Sequence, residues 1–234
     1  MANAKRPAEA RVPLSREHIV ETAIALADAG GFDSLTMRKL GEQLGTSAMS
    51  LYYYVPNKED LVDAMIDVVF AEIDVPTTDV DWRTAMRRRA HSTRRALNRH
   101  RWAVGRMEGR TTPGPASLRL HDAVLGCLRE AGFSIEATVY AYSVQDAYIY
   151  GFALQEKDLP FDDAEGGAAI AEAQYQEYDA LEAERQLGEL AQAFPYLAEV
   201  VVGHVAKVGY DFGAAFEDGL ELILDALERR REAS

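Results

Sequence analysis

LTMRKLGEQLGTSAMSLYYYVPNK, residues 35–58, contains two short helical patterns that are separated by a tight glycine turn. The apolar residues of the first pattern recur at helical spacing: Met37, Leu40 and Leu44. Thr36 is placed to cap the start of this helix through its hydroxyl group. Gly45 tolerates the positive φ with which helices often end, so the chain can reverse within a few residues. The pattern therefore predicts a helix, a tight turn and a second helix.

The second helix is expected over about residues 47–55, with Thr46 or Ser47 as its cap. Its apolar face consists of Ala48, Leu51 and Val55. The remaining side chains point away from that face: Met49, Ser50, Tyr52, Tyr53 and Tyr54. Hydroxyl groups can bond phosphate oxygens, and ring edges and methyl groups can contact thymine methyls, so this surface favours DNA reading. The alternative is a small three-helix scaffold in which the tyrosines pack on a neighbour.

A third helix is predicted to begin directly after this one. Pro56 ends the preceding helix, because proline lacks the amide that a helix interior needs. Asn57 and Asp60 have the spacing of a capping pair. Lys58, in the first turn, is placed to reach a DNA phosphate.

The N-terminal part of the chain resembles the DNA-binding domain of the TetR family of transcriptional repressors. The match runs without a gap over residues 19–66, IVETAIALADAGGFDSLTMRKLGEQLGTSAMSLYYYVPNKEDLVDAMI. It includes the family's Thr-x-Arg, Leu-Gly, Leu-Tyr and Asn-Lys elements. The resemblance implies a helix-turn-helix domain whose DNA contacts come from Thr36, Arg38, Ser47, Ala48, Met49, Ser50, Tyr52, Tyr53, Tyr54 and Lys58.

These residues are expected to divide between bases and backbone. Arg38 is the candidate for a guanine contact. Base edges or backbone are expected to meet Ser47, Ala48, Met49, Ser50 and Tyr53. Phosphates are expected to be held by Thr36, Tyr52, Tyr54 and Lys58.

Composition places the chain among ordinary globular proteins. Its 234 residues are enough for one sizeable core with an appendage. No apolar run approaches the roughly 20 residues of a membrane helix, and no signal segment opens the chain, so we expect a cytoplasmic protein without membrane contact. Cys127 is the single cysteine, which excludes an intramolecular disulfide and disfavours a structural zinc site.

The net charge of −13 is unusual for a DNA-binding protein, because affinity for the duplex depends on neutralising phosphates. Residues 1–60, however, carry seven basic residues against eight acidic ones, so nearly all of the excess negative charge follows residue 60. Only the DNA-facing surface has to be positive. We therefore expect modest non-specific affinity, with specificity provided by groove contacts.

Three segments are predicted from the order of these patterns: a disordered arm at 1–14, a helix-turn-helix domain at 15–60, and a regulatory ligand-binding and dimerisation domain at 61–234. The arm mixes basic residues and prolines without periodicity; its alternative role is a minor-groove arm that uses Arg6 and Arg11. Ser15 should cap the first helix, and Gly30 and Gly31 should end it.

The regular structure in the remainder of the chain is expected to be helical. Helices are predicted near 82–101, 118–131, 135–157, 195–207 and 211–231, and no long alternating strand pattern occurs. The fold class is therefore all-α, with a helical-bundle C-terminal domain. The helix at 135–157 is apolar over much of its circumference, so we pair it with 211–231 as a four-helix interface between two copies of the chain.

The helix near 82–101 carries eight arginines and no acidic residue. We interpret them as solvated or ion-paired, because residues 156–189 are as acidic as this helix is basic. A second DNA surface is the alternative. No motif for catalysis, phosphate binding or metal ligation is present, and the histidines lack ligand spacing: His18, His91, His100, His121 and His204. We therefore expect neither an enzyme nor a bound metal or cofactor.

Residues from Trp82 to about Gln155 are similar to the regulatory domain of the tetracycline-repressor subgroup. The similarity is carried by the His100-Arg101 pair, Thr111-x-Pro113 and AGFSIEATVYAYS, residues 131–143. It implies a small-molecule site formed by Arg89, Thr93, Met107, Glu108, Thr112, His121, Leu125, Val139, Ser143 and Ala147. Met107 or Glu108 stands where the subgroup has its metal-binding histidine, and Thr112 stands where it has a pocket arginine.

Tetracycline with magnesium is therefore not expected as the ligand, and the mixture of side chains suggests an apolar or aromatic molecule. The alternative is that these residues only fill a helical core. We expect a homodimer that binds a pseudo-palindromic operator and is released by a small-molecule inducer. The competing classes are an all-α enzyme that uses the C-terminal cavity and an acidic interaction module that does not bind DNA.

Overall fold

The computed structural model describes residues 13–107, 112–157, 185, 188–189, 191–200 and 212–233. The regular structure in these ranges is helical, which confirms the predicted all-α class. The helices are α1 Arg16–Gly30, α2 Met37–Gln43, α3 Ala48–Leu51, α4 Lys58–Ala71, α5 Trp82–Arg99, α6 Pro115–Glu130, α7 Ile135–Lys157, α8 Pro195–Val200 and α9 Phe212–Glu232. Short 3-10 turns lie at Phe32–Ser34 and Arg101–Ala103. Apart from Pro13 and Leu14, the predicted disordered arm lies outside the described residues.

The chain divides into two compact units. The first comprises Met1–Pro76 and His91–Ala123, and the second comprises Thr77–Ala90 and Val124–Ser234. The boundaries of the units fall inside α5 and α6, so neither unit is a single continuous stretch of chain.

The first unit contains a small three-helix core, here called the head and comprising residues 15–55. Ser15 caps α1 by accepting a hydrogen bond from the His18 amide, as predicted. The core side chains of the head are wholly buried: Ile19, Ala23, Leu40, Leu51 and Val55. A Cβ on Gly41 would lie 2.9 Å from the Thr46 carbonyl oxygen, so glycine permits the close packing of α2 against the chain that enters α3.

α4 follows the head and packs on α1. Asn57 caps it through a 2.7 Å bond from the Asp60 amide to Asn57 Oδ1, which confirms the predicted capping pair. Leu61, Met65 and Val69 are buried on one face of this helix. Val68 is exposed, because the buried face of the helix extends the other way around, through Val62, Ile66 and Phe70.

In the second unit, α9 packs along α7. Tyr148 of α7 stacks on Phe216 of α9 at 5.4 Å, and its hydroxyl donates to the Phe216 carbonyl at 2.8 Å. Leu220 and Leu224 continue the buried stripe of α9. The first half of α5 is joined to α9 by polar contacts, with Trp82 Nε1 donating to Glu228 at 2.9 Å.

The arginines of α5 form ion pairs, but the described partners of Arg83 and Arg87 lie in α9 and not at 156–189. Arg83 pairs with Asp225 at 2.6 Å, and Arg87 Nε donates to Glu221 at 2.6 Å. Acidic residues of α9 recur at helical spacing and face α5, an arrangement that the local sequence of α5 does not reveal. Most of 156–189 lies outside the described residues.

Helix bounds differ from the predicted ones at several ends. The second helix of the head, predicted at 47–55, ends at Leu51 and continues as turns. α6 begins at Pro115, three residues before its predicted start. Of the helix predicted at 195–207, residues 195–200 are described and helical. None of the described helices is long and apolar enough to cross a membrane.

Candidate functional site

The turn between α2 and α3 is fixed by local hydrogen bonds. Thr36 Oγ1 accepts from the Lys39 amide at 3.1 Å, and Ser47 Oγ accepts from the Ser50 amide at 3.2 Å. Gly45 has a φ of 64°, the left-handed conformation predicted for the turn. Both helices therefore start at side-chain caps, which fixes their direction.

α3 presents a polar and aromatic surface outward. Tyr53 is 88% exposed and Met49 is 79% exposed, whereas Leu51 and Val55 are wholly buried beneath them. Tyr53 and Tyr54 meet edge to face with ring centroids 5.6 Å apart. Leu51 and Val55 thus anchor α3 and the turn after it to the core, while Met49 and Tyr53 face outward, an arrangement compatible with reading a DNA groove.

Arg38 lies at the exposed start of α2. Its guanidinium is 2.9 Å from the Glu42 carboxylate, and the Arg38 side chain is 84% exposed. An exposed i,i+4 pair contributes at most a few tenths of a kcal/mol, roughly 0.3–0.5. Arg38 can therefore leave Glu42 for a guanine at little cost.

Lys58 has a role within the head that its sequence position did not suggest. Its Nζ donates to the Leu35 carbonyl oxygen at 2.9 Å and lies 5.0 Å from the centre of the Phe32 ring. The side chain joins the start of α4 to the loop before α2. Because an ammonium group has three donors, two protons remain for a phosphate.

A cavity of about 340 Å³ lies within the first unit. Its α4 wall consists of Asp63, Ile66, Asp67 and Phe70, which share one face of the helix. The opposite walls consist of Met107, Thr112, Pro113, Gly114, Ser117, Leu118 and His121. Carboxylates, an imidazole and apolar side chains line it together, a mixture typical of a small-molecule site.

Three of the predicted ligand residues line this cavity: Met107, Thr112 and His121. The α4 wall was missed, because the sequence indicated only the buried packing stripe of that helix. The spacing of Asp63, Ile66, Asp67 and Phe70 at i, i+3, i+4 and i+7 was the available signal.

The other predicted ligand residues are not part of the lining of this cavity. Leu125, Val139, Ser143 and Ala147 are exposed on α6 and α7. Thr93 is buried, and Glu108 lies outside the described residues.

Arg89 is buried in the second unit and pairs with the Asp146 carboxylate. Burial raises the pKa of the nearby Tyr142 phenol, and the charge of Asp146 raises this pKa further. Tyr142 therefore stays a neutral hydrogen-bond donor at physiological pH. In the part of the chain that the structure describes, no group of three or more His, Cys, Asp or Glu side chains is arranged to hold a metal ion.

Two family models match the chain. The model for bacterial regulatory proteins of the tetR family matches residues 19–65, and the model for the tetracyclin repressor-like C-terminal domain matches residues 75–231. The second match alone spans more than half of the chain.

Relatives of known function match over nearly the whole length. The HTH-type transcriptional repressor DrrR1 of Streptomyces coeruleorubidus is 32% identical over 227 residues, which cover 96% of this chain and 81% of that protein. The class A tetracycline repressor of transposon 1721 in Escherichia coli is 33% identical over 216 residues, 91% of this chain and 90% of the repressor.

Solved structures of similar fold include ActR of Streptomyces coelicolor. Its apo form has a TM-score of 0.73 and 27% identity, with 96% of this chain and 100% of ActR covered. Its complex with actinorhodin has a TM-score of 0.70 and 26% identity, with 93% and 98% covered.

Proposed function

Because the chain belongs to the TetR family of bacterial transcriptional regulators, and is not an enzyme, we propose that it is a ligand-responsive repressor. It binds a pseudo-palindromic operator as a homodimer in the cytoplasm, and a small apolar or aromatic molecule releases it. The observation that carries this function is the outward surface of α3, where Tyr53 and Met49 stand exposed above buried Leu51 and Val55.

In the proposed complex α3 enters the major groove. Ser47, Ala48, Met49, Ser50 and Tyr53 then face base edges or the adjacent backbone. Arg38 leaves its ion pair with Glu42 and bonds to a guanine. Phosphates on either side are held by Thr36, Tyr52, Tyr54 and Lys58, which set the register of the head on the duplex.

The homodimer is proposed to form through α7 and α9. Each helix buries one stripe within its own chain and leaves large apolar side chains exposed: Ile135, Val139, Val144 and Leu154 on α7, and Leu222 on α9. Exposed apolar patches of this kind mark protein interfaces. A two-fold dimer would place two heads on successive major grooves, about 34–36 Å apart.

The inducer is proposed to occupy the cavity of the first unit. A volume of about 340 Å³ is sufficient for a small organic molecule, and Ile66, Phe70 and Met107 give the cavity apolar walls. The complex of ActR with actinorhodin supports a small-molecule ligand for this chain. The ligand must prefer the conformation that does not bind the operator, because only a difference in affinity shifts the equilibrium.

Selection of bound sites from a random duplex pool tests the DNA function. We expect enrichment of one inverted repeat with half-sites about one helical turn apart. Failure to enrich any duplex, at low as well as moderate salt, would reject DNA binding.

Calorimetry then tests the response to ligands. Actinorhodin and other polycyclic aromatic probes are titrated into the free chain and into its complex with the selected duplex. An inducer is expected to bind the free chain more tightly, in proportion to its effect on operator affinity. If every probe that binds does so equally well in both states, ligand-dependent release is wrong.

A further inference from the structure

The carboxylate of Asp67 on α4 caps the N-terminus of α6. Its Oδ1 accepts hydrogen bonds from the amides of Ala116 and Ser117, each at 3.0 Å. The first amides of a helix have no partner within the helix, and a negative charge beside them is favourable. A residue 49 positions away in the chain thus provides the cap that helices usually take from a neighbouring residue.

Gly114 makes this close approach possible. A Cβ at position 114 would lie 2.2 Å from Cγ of Asp67 and 2.7 Å from its Cβ. Contacts this short cannot be relieved by rotating only the end of the Asp67 side chain. Any larger residue at 114 therefore has to push the start of α6 away from α4.

The cap also forms part of the wall of the cavity. Asp67, Gly114 and Ser117 all line it, beside Phe70 and His121. The rings of Phe70 and His121 lie 5.9 Å apart and form a second contact between α4 and α6. A molecule in the cavity therefore lies against the hydrogen bonds that join these two helices.

α4 is joined directly to the head. Asn57 caps its start only two residues after Val55, and Lys58 in its first turn donates to the Leu35 carbonyl. Leu61 and Met65 are wholly buried. Because α4 is a continuous helix from Lys58 to Ala71, a displacement at Asp67 is passed to the head at its other end.

From this geometry we propose that Asp67 is a positioning residue, a latch that holds α4 against α6 in the ligand-free, operator-competent state. This inference rests on the proposed function. A ligand in the cavity takes the place of the Asp67 carboxylate at the α6 amides or forces it aside, so α4 is released and the head moves. Loss of the latch should therefore imitate the ligand.

Electrostatics alone predicts that loss of Asp67 changes the DNA affinity in the opposite direction. Replacing Asp67 by a neutral residue removes one negative charge, and a less negative protein binds DNA more tightly. A latch predicts weaker binding for the same substitution. The direction of the change therefore distinguishes the two effects.

The experiment compares the full chain with Asp67→Ala, Asp67→Asn, Gly114→Ala and the control Asp122→Asn. Asp122 is exposed on α6 and is not part of the cavity lining, so its variant changes the charge and leaves the latch intact. The probe is the duplex that the wild-type chain selects from a random pool. Operator affinity and hydrogen exchange over residues 112–120 are both measured, without a ligand.

Asp67→Ala and Gly114→Ala are expected to weaken operator binding about tenfold, within the usual range of allosteric coupling. Exchange at Ala116 and Ser117 should accelerate in the same two variants. Asp67→Asn should lose less operator affinity than Asp67→Ala, because its amide oxygen still accepts a hydrogen bond although it lacks the charge. Asp122→Asn should bind at least as tightly as the wild type.

Faster exchange at Ala116 and Ser117 with unchanged operator affinity would overturn the latch. A loss of operator affinity in Asp122→Asn equal to that in Asp67→Ala would also overturn it. If Asp67→Ala does not fold, Asp67→Asn and Gly114→Ala decide the question by the same measurements. If the wild-type chain selects no duplex, the proposed function itself fails and the latch fails with it.

Discussion

Leu51 and Tyr53 show how neighbouring residues of the segment 47–55 divide between the core and the surface. Leu51 is wholly buried, whereas Tyr53 is the most exposed large hydrophobic side chain of the head. Leu51 is the last residue of α3 and Tyr53 lies in the turn that follows, so one faces the core and the other faces outward. The amphipathic pattern in the sequence predicted this division correctly.

Replacement of these two residues should separate stability from DNA affinity. Leu51→Ala is expected to lower the free energy of unfolding of the head by about 2–5 kcal/mol, because it leaves a cavity. Tyr53→Ala should leave thermal unfolding unchanged and weaken operator binding by about 0.5–1.5 kcal/mol, the contribution of one hydrogen bond. Thermal unfolding and fluorescence anisotropy with the operator measure the two effects. Destabilisation of the head by Tyr53→Ala would contradict the assignment.

Arg38 and Lys58 should differ in how they affect specificity. Arg38→Ala is expected to remove discrimination at one base pair, by about 1–3 kcal/mol if the contact is bidentate. Lys58→Ala should weaken binding to all duplexes and reduce the slope of log affinity against log salt by about one.

Lys58→Ala should also lower the melting temperature, since its ammonium group holds the Leu35 carbonyl. Binding to selected and random duplexes over a salt series measures both substitutions. Equal losses on both duplexes for Arg38→Ala would remove Arg38 from base recognition.

Whole helices were predictable where their ends depend on neighbouring residues. The caps Ser15, Thr36 and Asn57 were identified from local spacing, and each accepts the expected amide. α7 also has its predicted bounds, because Ser134 caps its start through the Ala137 amide.

Helix ends that depend on residues distant in the sequence were not predictable. α6 starts three residues early because Asp67, from another helix, caps it. The predicted ligand residues do not include the α4 wall of the cavity, since this wall comes together with α6 only in the folded chain. α3 stops at Leu51, and the amides of Tyr54 and Val55 both donate to the Leu51 carbonyl oxygen. The three consecutive tyrosines did not indicate that the helix would end in such a turn.

The stability of the second unit should depend on pH through Glu228, which accepts from Arg231 within α9 and from Trp82 of α5. Hydrogen bonds from Arg231, and then from Trp82, lower the pKa of the Glu228 carboxyl. A carboxylate with a lowered pKa stabilises the fold above its ordinary pKa of about 4.3, and this contribution is lost as the pH falls through the lower folded-state value.

Thermal unfolding between pH 7 and pH 3 measures this contribution. Glu228→Gln should be less stable than the wild type near neutral pH and should approach it in acid, with Asp218→Asn as an exposed control on the same helix. A stability difference that does not change with pH would exclude the carboxylate as its source.

At the scale of the whole molecule, the proposed function requires two copies of the chain. Leu222 is a large apolar side chain on α9 and is 71% exposed. The proposed two-fold interface buries the Leu222 side chain of each protomer.

Leu222→Glu should therefore dissociate the dimer, because an uncompensated buried charge costs about 3 kcal/mol or more. Sedimentation equilibrium measures the change. Val75→Glu, at an exposed apolar residue of the α4–α5 connection, should leave the dimer intact. Equal dissociation by both variants, or by neither, would exclude an interface through α9.

Operator geometry tests the central claim most directly. The affinity of the chain is measured for the selected duplex and for the same duplex with about five base pairs, half a turn, inserted between its half-sites. We predict that the insertion reduces the affinity to nearly that of random DNA, because it turns one half-site to the opposite face of the helix. Unchanged affinity after the insertion, or equal affinity for a single half-site, would contradict a dimer whose two α3 helices read successive major grooves.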